Sequence, residues 1–124
     1  MTAISFSAWD KEYCVGKIKS GVKDQTVRRP RKSPIKPFTK LQLFWKMRTK
    51  GCEKIADAVC TEYFKVYINT YGREVLVLTG VGYLMLGSSD LKNFWGRDGF
   101  ACAKDFWEYF GEGGDFVVIR WRLE

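Results

Sequence analysis

Ile4-Ser5-Phe6 alternates apolar with polar side chains and predicts a short opening strand. Asp10 can cap a helix running to about Ser20, and Gly21 suits its left-handed stop. Cys14 and Ile18 share one face of that helix, with Lys17 and Lys19 turned outward. Residues 22–40 carry Pro30, Pro34 and Pro37 among basic residues and predict a long irregular loop. Alternation then returns. Leu41, Leu43, Trp45 and Met47 share one face of a strand. Ala56, Ala58, Cys60, Phe64, Val66 and Ile68 line the inner face of a longer one over 54–68, which should bend as barrel strands do. Residues 75–79 and 81–86 predict two more strands. Ser88 or Ser89 should cap a short helix over 90–96, and Ala103, Phe106, Trp107 and Phe110 mark a second helix. A strand over 116–123 closes the chain.

This order, with about six strands and about three helices, predicts an α+β domain spanning residues 1–124, built as a small, partly open β-barrel flanked by helices. At 124 residues a second core has no room. The 16% aromatic content supplies ample material for the one predicted.

Absence of histidine excludes Ser-His-Asp and Cys-His catalysis and histidine-containing zinc sites. The four cysteines, Cys14, Cys52, Cys60 and Cys102, form no C-x-x-C pair, so neither a metal nor another cofactor is expected. They read as reduced thiols, with Cys60 and Cys102 in the core. The opening five residues lack the pattern of a secretory leader, and the most apolar stretch, 75–86, is too short to span a bilayer. A cytoplasmic protein without membrane partners is expected.

Charge sharpens this picture. Residues 1–54 hold 14 Lys/Arg against 4 Asp/Glu, and Lys17 to Lys50 holds 12 basic residues against the single acid Asp24. Such asymmetry suits a polyanionic partner, or simply a solvated basic loop. Its arginines and the aromatics Phe38, Phe44 and Trp45 favour nucleic acid. Arg28, Arg29, Arg31, Lys46 and Arg48 are the expected phosphate contacts.

Lys23 and Thr26 lie three apart just past a helix end. A deprotonated amine facing a hydroxyl across one cavity can activate it as a nucleophile; alternatively Lys23 is solvated and Thr26 bonds the backbone. Asp98, in Arg97-Asp98-Gly99-Phe100, either caps the following helix or points into a site, with Phe100 plugging the core behind it. Gly80-Val81-Gly82 does not make a dinucleotide fingerprint, because position 85 is Met.

These segments together resemble the ASCH family of the PUA-like superfamily. The resemblance rests on Ile4-Ser5-Phe6, a helix ending at Ser20-Gly21, the Lys23-x-x-Thr26-x-Arg28 string, the strand after the basic loop, and Asp98-Gly99-Phe100 before a late helix. It implies a small barrel with a cleft beside the lysine loop and a link to RNA. Some members resemble an amidohydrolase that deacetylates N4-acetylcytidine, and a ribonuclease activity is also ascribed to the family. The amidohydrolase uses a Lys, a Thr three later and a Glu. Lys23 and Thr26 match, while the acid falls on Asp98, one methylene shorter. Three functions are therefore open: an RNA- or nucleoside-binding domain whose cleft is lined by Lys23, Thr26, Arg28 and Asp98, an amidohydrolase or metal-independent ribonuclease, and a protein-interaction modulator of a nucleic-acid machine that uses Trp95 and Trp107.

Overall fold

The computed structural model describes residues 2–7 and 9–124. Its elements run β1 (Thr2–Phe6), α1 (Lys11–Lys19), β2 (Gln25–Arg28), β3 (Lys40–Trp45), β4 (Glu53–Asn69), β5 (Glu74–Thr79), β6 (Gly82–Met85), α2 (Ser88–Arg97), α3 (Ala103–Phe110) and β7 (Gly114–Leu123). Every strand expected from alternation forms, and β2 is added inside the segment expected to be loop. Met1 and Ala8 lie outside the described residues.

The seven strands make one sheet. β1 pairs with β3 in parallel; the pairings β3–β4, β4–β7 and β2–β7 are antiparallel. β4 is long enough to serve three neighbours, pairing β3 at its start, β7 along most of its length and β5 at its end. Its register shifts between Cys60 and Glu62, a bulge of the kind that bends a strand and raises its twist. β5 and β6 extend the sheet as a hairpin. The sheet is not closed. β1 and β2 each have one strand partner, so the run β1-β3-β4-β7-β2 curls without joining its ends.

Because β4 and β7 pass from one side of the molecule to the other, they serve two apolar clusters. Ala58, Cys60, Ile119 and Trp121 join Ile4, Leu41, Leu43 and the buried face of α1. Val66, Ile68, Phe116 and Val118 join Phe94, Phe100, Phe106 and Phe110 from α2 and α3. This explains why Phe116 to Ile119 is buried without interruption.

One local expectation holds and several change. Asp10 caps α1, accepting from the Tyr13 N–H at 3.1 Å. The N-cap of α2 is Gly87 rather than Ser88 or Ser89, with no side-chain cap bond. Cys102 is exposed, whereas Cys14 and Cys60 are buried. Trp107 is buried in the second cluster and Trp95 is half-buried against it, so the two do not form the exposed pair expected. Among the described residues no helix is long and apolar enough to cross a membrane.

Candidate functional site

A side chain spans the seam that the sheet leaves open. Arg28, on β2, donates from Nη2 to the Ser5 carbonyl of β1 at 2.6 Å, and from Nε to Thr26 Oγ1 at 3.0 Å. Its guanidinium lies 5.0 Å from the centre of the Phe6 ring. A partly open pocket of about 120 Å³ occupies this seam, with Lys23, Thr26, Arg28 and Asp98 in its wall.

Lys23 follows the end of α1, where its N–H donates to the Lys17 carbonyl at 2.9 Å. Its side chain is only 4% exposed. Nζ donates to the Gln25 carbonyl at 2.9 Å and the Asp98 carbonyl at 2.7 Å, and lies 3.9 Å from Asp98 Oδ2. The Phe6 and Trp9 rings flank it at 5.5 and 5.3 Å. Two of its N–H directions are thus fixed on carbonyls, and the third valence is left to hold either a proton or a lone pair.

Asp98 is the C-cap of α2 and does not cap α3, whose N-cap is Cys102. It is buried in the pocket wall, and Oδ1 has no hydrogen-bond partner among the described residues. Burial pushes its pKa up, opposed by the Lys23 charge; burial pushes that of Lys23 down, opposed by Asp98. Desolvation therefore brings the two proton affinities towards each other.

Neighbouring residues hold the pair in place. Asp24 receives Arg97 bidentately at 2.8 and 3.0 Å, and the Asp24 N–H donates to the Arg97 carbonyl. These residues adjoin Lys23 and Asp98, so the clamp fixes the approach of β2 to the end of α2. Gln25, fully buried, donates to the Phe94 carbonyl and accepts from Arg120 Nε.

The shifts carry a pH signature. Between about pH 4 and its raised pKa, Asp98 keeps a proton when folded that it loses when unfolded. Its contribution to stability therefore declines as pH rises through that window. Lys23 acts in the opposite sense higher up, releasing its proton in the folded state first, so stability rises with pH between its lowered pKa and about pH 10. Urea unfolding of Asp98→Asn should show the variant gaining on the wild type as pH rises above about 4. Parallel profiles would contradict the assignment.

Of the residues singled out by sequence, Lys23, Thr26, Arg28 and Asp98 share the pocket. No hydrogen bond joins Lys23 to Thr26 among the described residues; the Thr26 hydroxyl accepts from Arg28 instead. Arg28, expected both in the cleft wall and at a phosphate, lines the pocket and also ties the seam. Arg29, exposed, lies over the Phe116 ring at 4.6 Å, and Arg31 is exposed beyond it. Lys46 and Arg48 are exposed on the turn after β3. That turn is tied to the pocket strand, because the Lys46 N–H donates to the Phe6 carbonyl at 2.8 Å and the Met47 N–H to Ser5 Oγ at 3.0 Å. Ser5, Ser7, Trp9, Cys14 and Tyr109 also line the pocket and were not foreseen. Nothing in their local spacing marks them, since the seam alone brings them together.

No family model and no curated protein matches the sequence. Solved structures do resemble the fold. A Tyr-to-Phe variant of the ASCH protein from Zymomonas mobilis superposes with a TM-score of 0.57 at 18% identity, covering 97% of this chain and 68% of that one. The ASCH protein itself, from the same organism, gives 0.56 at 17% identity, covering 97% and 66%. The chain thus has an ASCH-like fold and spans about two thirds of the length of those proteins.

Proposed function

We propose that this ASCH-like domain binds RNA or a nucleoside, with one base or acyl group in the seam pocket and phosphates on the cations to either side. The observation that carries the reading is the pocket itself: the buried Lys23 amine, the buried Asp98 carboxyl and the Arg28 guanidinium belong to residues that line one cavity. At about 120 Å³ it is smaller than the roughly 300–1,000 Å³ typical of whole small-molecule sites. It suits one planar fragment, with the rest of the ligand outside. The Asp98 carboxyl in the pocket wall supplies hydrogen-bonding capacity for that fragment. The turn at 46–50 stands on the β1–β3 side of the seam and Arg29 and Arg31 on the β2 side, in a stretch with no acid between Asp24 and Glu53.

Titrating labelled single-stranded RNA at several salt concentrations tests this. The log of affinity should fall against log salt by about 0.7 for each phosphate held. Arg31→Ala, Lys46→Ala and Arg48→Ala should each flatten the slope by up to about that amount. A salt-independent affinity would remove the reading.

One observation favours chemistry in the same pocket. Thr26 Oγ1 accepts from the Arg28 cation, which leaves its own proton free and lowers the energy of an alkoxide there. With Lys23 neutral, the Thr26 proton passes to the amine. Oγ1 then bonds to the acyl carbon of an acylated base, the C–N bond breaks, and the departing amine takes the proton with help from Asp98. Water hydrolyses the resulting ester. On an RNA phosphodiester, Lys23 and Arg28 would instead stabilise the charged phosphorane.

A further inference from the structure

Phe38 stands where folding gives it nothing to do. Its side chain is 83% exposed, and its backbone lies at φ 71°, a region that disfavours a bulky L-residue. The position is nevertheless anchored. Ile35 is buried in the first cluster, the Phe38 N–H donates to the Cys60 carbonyl at 2.8 Å, and the Cys60 N–H returns to Thr39 at 2.8 Å. The chain is therefore held firmly in a strained conformation that presents a ring to solvent, the kind of outlier that points to function.

Its surroundings are cationic. Lys36 and Lys40 flank it in sequence. Lys40 and Arg122, both exposed, sit on either side of Val59 in register, one strand apart from it on each side. From Lys40 the outer face of β3 continues through Gln42 to Phe44, while Leu41, Leu43 and Trp45 turn into the core. Phe44 is in register with Ser5 of the pocket wall. Asp57, the carboxylate paired in register with Gln42, is neutralised by Lys54 Nζ at 2.8 Å. Phe38, Lys40 and Phe44 thus mark a track from Phe38 to the β1 edge of the pocket, roughly 20 Å long at the rise of an extended strand.

We infer that Phe38 is a base-stacking platform for single-stranded RNA whose other end occupies the seam pocket, the strand lying along the outer face of β3. The inference rests on the RNA reading above and narrows it: a free nucleoside cannot reach both ends, so the ligand is an oligonucleotide. Stacking on an exposed ring between cations is how sequence-tolerant single-strand sites gain affinity.

The test measures binding of a labelled RNA of about eight nucleotides and of a dinucleotide to wild type, Phe38→Ala and Phe38→Tyr. Phe38→Ala should weaken the longer RNA about tenfold without changing its salt slope, Phe38→Tyr should retain wild-type affinity, and the dinucleotide should not discriminate. Equal affinity of wild type and Phe38→Ala for the longer RNA overturns the platform and leaves the pocket reading standing. A changed salt slope in Phe38→Ala overturns it too, because the loss would then be one of phosphate contact. If wild type fails to bind the longer RNA at low salt, the platform falls with the RNA arm of the pocket reading, and only the nucleoside arm stands. The ring packs against no core, so the alanine variant should melt with the wild type.

Discussion

On the hydrolytic reading proposed above, Lys23→Ala is expected to lower deacetylation of N4-acetylcytidine by about 10²- to 10⁴-fold, the usual worth of a positioned general base. Two N–H groups of Lys23 are committed to the Gln25 and Asp98 carbonyls, so only its third position can exchange a proton with the pocket. Lys23→Arg should not rescue turnover, since a guanidinium does not surrender its proton and its fork cannot copy this geometry. Thr26→Val should fall as far as Lys23→Ala, while Thr26→Ser keeps a hydroxyl within reach of Arg28. Steady-state turnover checks these four variants, with near-ultraviolet circular dichroism to confirm the fold. Turnover unaffected by Lys23→Ala would dispose of the chemistry and leave binding intact.

Gly99→Ala should cost about 3 kcal/mol of stability, combining the strain of a positive φ with overpacking. Gly99 sits at φ 99°, and a Cβ there would come 2.9 Å from the Trp9 ring and 3.4 Å from Lys23 Cδ. The turn lets Tyr13 donate to the Gly99 carbonyl at 2.9 Å while Phe100 enters the second cluster. A methyl group must displace Trp9, and with it one wall of the pocket, so ligand affinity should fall along with the urea midpoint. A stability change within about 0.5 kcal/mol would show that the turn yields more easily than its contacts imply.

Much of the fold is legible in the sequence because most strands have one buried and one exposed face, and alternation records that. β2 escapes because Gln25, Thr26 and Val27 are all buried. Two of these are polar, so the strand leaves no periodic trace between a helix stop and a proline. β7 is placed correctly, yet its side chains face a separate apolar cluster on each surface of the sheet, which alternation alone does not convey. At the site, the Lys23/Thr26 spacing and the Asp98-Gly99 turn were visible. Arg28 was expected in the cleft as well, but its role as a cross-tie was not. A run of arginines suggests phosphate, and only the meeting of two strand edges from opposite ends of the sheet shows that the first of them is a cross-tie. Trp9 and Tyr109 were hidden for the same reason.

The cross-tie makes scaffold and pocket share atoms. Arg28 closes by its side chain what backbone pairing leaves apart, and the same guanidinium orients Thr26. Sequence drift at this position is therefore doubly constrained. Lysine keeps the charge but loses the fork, and a shorter residue frees both rims. The pocket cannot be retuned through Arg28 while the rims stay tied, so diversification of ligand preference within this architecture must proceed through the residues at the mouth.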